Sequence, residues 1–152
     1  MGNSSKDSMI AKAILDSHAR RVGTELIERT DNLDSDAEAL FTLNAVILSH
    51  DGGRDPHFVY ANLAAAELWR MPVSELIGMP SRLSAPPEHQ AERASMLKDA
   101  AGSGVLTGYA GERIAKDGTR FMIEDATLWT VDYPQGPGQA VVFTTWTQLP
   151  KQ

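Results

Sequence analysis

Asp117-Gly118 lies between two long runs of strand-forming residues, and a turn of that composition joins antiparallel neighbours. Upstream the run covers 105–114; downstream it covers 119–131, with Phe121, Ile123, Leu128 and Trp129 as its bulky positions. The pair reads as a two-residue hairpin turn in which both central residues take positive φ. A longer turn, Asp132 to Gly138, leads into a third run over 139–147 that is dense in Val, Phe, Thr and Trp. The last third of the chain is therefore a three-stranded meander.

The first two-thirds supply another hairpin and the helices. Phe41 to Leu48 is an apolar, β-branched run without a helical stripe, which predicts a buried strand. The turn formers His50 to Pro56 separate it from a second strand, His57 to Tyr60. Asn62 has the side chain to cap a helix over 63–70, and Pro72 ends it. A single helical turn over 72–78 and a proline-rich loop over 79–87 lead to a helix from Glu88 to Ala101, with Ala91, Ala94, Met96 and Leu97 facing inward. At the start, Met9, Ile10, Ala13, Ile14, Val22, Leu26 and Ile27 recur near helical spacing, and a short helix follows from Asp34. The expected layout is a disordered tail over 1–7, an amphipathic N-terminal helix within 8–32, and one α+β domain over 33–148. Its core is a five-stranded antiparallel sheet with helices on one face.

Composition removes several kinds of chemistry. The chain has no cysteine, so disulfides, thiolate metal sites and cysteine nucleophiles are excluded. A net charge of −6 argues against nucleic acid and anionic membrane as partners. No apolar run approaches the roughly twenty residues that span a bilayer. A cytoplasmic protein is the expectation.

The element order, two strands, several helices and a three-stranded meander, resembles a PAS domain. Phe58-Val59-Tyr60-Ala61-Asn62 followed by Ala64-Ala65-Ala66-Glu67-Leu68-Trp69 is similar to the start of PAS helices, and Ser74-Glu75-Leu76-Ile77-Gly78-Met79-Pro80 to the step that follows. Pro80 to Ala85, Glu92-Arg93, Gly108 to Ile114, Gly118 to Phe121, Trp129 and Gly138-Gln139-Ala140 resemble the MEKHLA family in particular. That family is a PAS-like domain found alone in bacteria and at the C-terminus of certain plant homeodomain–zipper regulators. Leu15 to His18, Gly23 to Leu26 and Leu48 to His50 resemble the stand-alone bacterial members. The resemblance implies a sensory or ligand-binding module rather than an enzyme. It also implies a homodimer and a signalling partner protein. The sequence carries no homeodomain, zipper heptads or output domain, so the plant role does not transfer.

The cofactor is left unknown. Without cysteine neither a flavin–cysteinyl adduct nor a coumaroyl chromophore can form. His89, at the start of the long helix, is the one candidate haem ligand and reads as a solvated residue there. His50 and His57, with Asp51 and Asp55, read as polar residues of a hairpin loop rather than a metal site. Ser49, His50 and Asp51 cannot converge as a triad, because neighbours on a strand point to opposite faces. Arg82 and Arg113 either reach into the space between sheet and helices and hold an acidic ligand, or make ion pairs. Arg93 and Arg120 read as ion-paired. Asn62, Trp69, Tyr109, Phe121, Trp129 and Trp146 complete the pocket candidates, and the same aromatic residues would equally fill a solid core. Two alternatives remain. One is a protein-interaction module with a filled core. The other is a small enzyme using Glu124 or Asp125 as a base, for which no catalytic residue is demanded by spacing.

Overall fold

The sheet is built from two hairpin blocks joined through their ends. β1 (Val46–His50) and β2 (Phe58–Ala61) form the first; β3 (Val105–Ile114), β4 (Arg120–Tyr133), β5 (Gly136–Phe143) and β6 (Thr145–Gln148) form the second. The spatial order is β2-β1-β5-β4-β3, every pairing antiparallel, with β6 also on β4. The structure, a computed structural model, describes residues 4–150, with side chains from Ser8 onward. Of the expected N-terminal tail, residues 1–3 lie outside the described residues, and α1 (Ser4–Arg21) starts directly after them. The other helices are α2 (Leu33–Phe41), α3 (Leu63–Trp69), α4 (Val73–Leu76) and α5 (Gln90–Ser103).

The expected fifth strand is interrupted rather than continuous, which makes the sheet six-stranded. Thr127 faces Val142 before the break and Glu124 faces Thr145 after it, so β6 carries on the register of β5. The interruption lies opposite Asp125, whose φ of 51° is left-handed. This is a bulge, and it reverses the faces of β4. Phe121 and Ile123 point toward α3. Beyond the bulge Ala126 keeps that direction, while Trp129, Val131 and Tyr133 point to the opposite side.

Two cores result, one on each face of the sheet. One holds Leu48, Phe58, Trp69, Leu76, Phe121 and Phe143; Trp69 meets Phe121 edge-on at 5.1 Å between ring centroids. The other lies under α1 and α2 and holds Ile14, Leu15, Leu40, Ile47 and Trp129. There the Trp129 indole N–H donates to Ser17 Oγ at 2.9 Å, and the His18 ring sits edge-on to the indole. The apolar stripe of α1 is thus buried on its own sheet.

Several boundaries differ from those read in the sequence. α1 stops at Arg21, where the N–H groups of Val22 and Gly23 both return to the His18 carbonyl, and 22–32 is irregular. Phe41 ends α2 rather than opening β1. The Asp117-Gly118 hairpin has positive φ only at Gly118 (90°). Gly118 N–H donates to Ala115 C=O at 3.0 Å and Ala115 N–H to Thr119 C=O at 2.8 Å. This is a three-residue loop closed by a left-handed glycine rather than a two-residue turn. In α5 the inward stripe is Arg93, Met96, Leu97 and Ala100, whereas Ala91 and Ala94 are exposed.

Asn62 fastens the first hairpin to the helices and is fully buried. Its Oδ1 accepts from the N–H groups of Ala65 and Ile47, each at 3.1 Å, and its Nδ2 donates to the Ala45 carbonyl at 2.7 Å. One side chain caps α3, extends the β1 ladder and closes the turn before β1. Asn62→Ala removes the cap and leaves buried backbone groups unpaired, and should lower unfolding stability in urea by about 3 kcal/mol with an unchanged m-value. A loss below about 1 kcal/mol would mean that water replaces the amide without cost.

Candidate functional site

A cavity of about 30 Å³ lies between the sheet and the helices α3 and α5. Its position follows from strand alternation. β1 turns Leu48 and His50 toward it, and β5 turns Gln139, Val141 and Phe143. His50 and Gln139 are register partners, so they stand side by side at one end. α5 crosses above them and contributes Arg93, Met96 and Leu97; β3 contributes Tyr109 and Arg113. Trp69, Phe143 and Ile123 make the other end apolar. The Gln139 side-chain amide donates to the Leu97 carbonyl at 2.9 Å and ties α5 to the central strand.

The polar end carries positive charge and hydrogen-bond donors. Arg113 is 5% exposed; it donates through Nη1 to the Glu112 carbonyl at 2.8 Å and through Nη2 to the Tyr109 hydroxyl at 3.1 Å. Its guanidinium also lies 5.5 Å from the Tyr109 ring centre. This arrangement needs a glycine between the two: a Cβ on Gly111 would stand 2.2 Å from the Tyr109 hydroxyl and 2.9 Å from Arg113 Nη1.

Arg93 is 7% exposed and has no hydrogen-bond acceptor or carboxylate partner among the described residues. Burial, reinforced by the Arg113 charge and opposed by Tyr109, pushes its guanidinium down to about 9, so it still carries its proton at neutral pH. His50 is 4% exposed. Its Nδ1 accepts the Gly52 N–H at 3.1 Å, which places the proton of the neutral ring on Nε2, and Nε2 has no partner among the described residues.

The residues picked out in the sequence divide into three groups. Trp69, Tyr109 and Arg113 line the cavity. Phe121 packs against Trp69 in the same core, and Asn62 is occupied by its backbone contacts. Arg82, Trp129 and Trp146 lie elsewhere: Arg82 is exposed and pairs with Asp55 at 3.2 Å, Trp129 is on the α1 side, and Trp146 is 43% exposed on β6. Arg93, expected in an ion pair, is instead a cavity residue, because its position on α5 is i to Met96 at i+3 and Leu97 at i+4. His50 and Gln139 were not expected there; the alternation of β1 and β5 is the sequence signal for both.

Arg120 is ion-paired as expected, with Glu88 and, at 3.1 Å, Glu112. Glu88, His89 and Glu112 come close enough to hold a metal ion, but Arg120 already occupies both carboxylates. His89 is partly exposed at the start of α5 and lies 3.2 Å from Glu112. His57 faces away from the cavity, with Nδ1 on the Asp55 carbonyl, while Asp51 accepts the His57 N–H, so the hairpin histidines and aspartates do not converge. Ser49 turns its hydroxyl to Tyr133 on the opposite face from His50. Glu124 bonds the Thr147 hydroxyl and Asp125 is exposed, both away from the cavity. No helix among the described residues is long and apolar enough to cross a membrane.

An open antiparallel sheet of this order, with helices between the second and third strands covering a small cavity, is a PAS fold. The PAS domain of a protein from Colwellia psychrerythraea matches with 18% identity and a TM-score of 0.62, over 72% of this chain and 93% of that one. That of an HTR-like protein from Haloarcula marismortui matches with 16% identity and a TM-score of 0.60, over 76% and 90%. The PAS domain of a LuxR-family transcriptional regulator from Burkholderia thailandensis, solved in complex with ethanol, matches with 17% identity and a TM-score of 0.54, over 69% and 92%. At these identities the likeness is one of fold. The MEKHLA domain model matches residues 8–148, and the chain belongs to the MEKHLA domain family. A comparison with curated proteins finds no match.

The buried His50 gives a pH prediction. Burial and the Arg93 charge hold it at about 4 against an ordinary 6.5, with Asp51 pulling weakly the other way. The unfolded chain therefore takes up the proton first as pH falls. Its contribution is complete above pH 6.5 and is lost progressively toward pH 4, by about 3 kcal/mol in all. Urea unfolding from pH 7 to 4.5 should show a steeper loss in the wild type than in His50→Gln. Parallel curves would show that His50 titrates normally in the folded protein.

Proposed function

We propose that the chain is a PAS-fold sensory module that takes a small molecule into the cavity under α5 and passes occupancy to a partner surface. The observation that carries this reading is the polar end of the cavity, where the Nε2 of His50 is buried without a partner among the described residues and Arg93, 7% exposed, has no acceptor among them. A core meant only to be filled gains nothing from a charge that costs several kcal/mol to bury without a partner. The ethanol complex of the Burkholderia thailandensis PAS domain is a precedent for a very small guest in this fold. Ligand contact with Arg93 would reposition α5, and the Gln139–Leu97 hydrogen bond links α5 to β5 at the middle of the sheet. We further propose binding without catalysis, and a homodimer as the signalling unit, formed through a surface other than the stripe of α1 already buried on its own sheet.

Native mass spectrometry, with an absorption spectrum, of the protein purified without denaturation tests this. The expected result is a dimer mass carrying a small adduct that is released on unfolding. A dimer without any adduct, unchanged after incubation with cell-derived metabolites, would favour the alternative, an interaction module. A bare monomer would contradict the dimer as well.

A further inference from the structure

Resting on the reading of the cavity as a ligand site, we infer that the ligand is a small monocarboxylate whose head group lies between Arg93 and Arg113 and whose short tail lies against the apolar end at Trp69. Three features of the cavity point to this chemistry.

The first is charge. Two guanidiniums face one small space, and no carboxylate among the described residues lines it. The nearest candidates are committed elsewhere: Glu112 to Arg120 and His89, and Asp51 to the His57 N–H. Among the described residues Arg113 has only neutral oxygens as acceptors, the Glu112 carbonyl and the Tyr109 hydroxyl. Like charges in a low-dielectric site repel, and an anion between them turns that repulsion into two attractions.

The second is the type of hydrogen-bonding group. Arginine has donors only, and His50 presents an N–H at Nε2 because its Nδ1 already accepts from Gly52. A guest matching this end must supply acceptor oxygens. A planar carboxylate fits the planar fork of a guanidinium in two parallel hydrogen bonds, which a spherical halide cannot do.

The third is size and polarity away from that end. About 30 Å³ is room on the scale of two or three water molecules, close to the size of formate or acetate and far below a flavin or haem. The opposite wall, with Trp69, Phe143 and Ile123, has Ser84 as its one polar side chain among the described residues, and that hydroxyl donates to the Ser81 carbonyl, so no partner for a second charged group is offered there. One carboxylate with a one- or at most two-carbon tail satisfies both ends.

The test uses the whole chain, dialysed into a chloride buffer free of carboxylate and phosphate. Thermal unfolding and isothermal calorimetry are run with formate, acetate, propionate, butyrate and hexanoate, and with acetamide, propionamide and 1-propanol as neutral counterparts. Acetate or propionate should give a saturable rise in Tm, with hexanoate at least tenfold weaker and the amides without effect. Arg93→Gln, which retains a polar side chain but not the charge, should weaken the best carboxylate at least tenfold. Amides binding as well as carboxylates, or Arg93→Gln binding as well as wild type, would overturn the inference. If the variant does not fold, the carboxylate–amide comparison on the wild type decides alone. Binding of 1-propanol or the amides without the carboxylates would leave a ligand site but remove the anion. Binding of none of the probes would overturn the carboxylate inference and count against the ligand site itself.

Discussion

A β-strand shows its side chains alternately to two faces, and β4 breaks that alternation once, at Asp125. The break lets one strand serve two cores. Below it Phe121 and Ile123 build the wall next to Trp69; above it Trp129, Val131 and Tyr133 form the floor for α1 and α2. Without the bulge, one of these sets would face the wrong way. Aspartate suits the position because it tolerates left-handed φ better than branched residues do, and here it is exposed. The partner strands register the same event: β5 and β6 separate opposite it, and β3 slips around Tyr109. The slip at Tyr109 lies beside the arginine end of the cavity, where Gly111 lets the Tyr109 hydroxyl reach Arg113.

The cavity is held open on terms that differ at its two ends. The apolar end is ordinary core, closed by aromatic edges around Trp69. The polar end is a concentration of positive charge that folding alone would not favour. Acidic residues are plentiful in this chain of net charge −6, yet those near the cavity turn outward. Glu112 is next to Arg113 on β3, and strand alternation sends it to Arg120 and His89 instead. The proximity of opposite charge in sequence therefore does not neutralise the site, and a soluble anion is the remaining means of doing so.

Much of the fold was legible because it rests on local rules. The two hairpin blocks, the Asn62 cap and the helices between β2 and β3 follow from turn residues, β-branched runs and a capping side chain. The MEKHLA motifs, from Leu15 to Ala140, lie within the family match over 8–148. What escaped was set by packing. Phe41 has strand character but completes α2, next to the buried Leu40. The inner stripe of α5 runs Arg93, Met96, Leu97, Ala100; a reading that assigns arginine to the outside rotates the helix and puts Ala91 and Ala94 inward. Trp129 was expected among the pocket aromatics for its apolar surface alone; Phe121, Ile123 and Trp129 are all odd-numbered, and the bulge turns Trp129 to the other face. Tyr109 and Arg113, of equal parity on β3, line the cavity with Trp69 from the end of α3. Arg93 escaped because an arginine facing a core is a choice the polar pattern does not signal; His50 carries a signal, its place two residues after Leu48 on β1, which a reading of it as a loop residue passes over.

The central claim is that Arg93 and Arg113 share an anion. A crystal structure at about 1.5 Å resolution, from protein equilibrated with acetate or propionate, tests it most directly. The account predicts planar density between the two guanidiniums, with one oxygen also within hydrogen-bond distance of His50 Nε2 or the Tyr109 hydroxyl. A cavity holding only water, with Arg93 swung out to an acidic side chain on the surface, would contradict it.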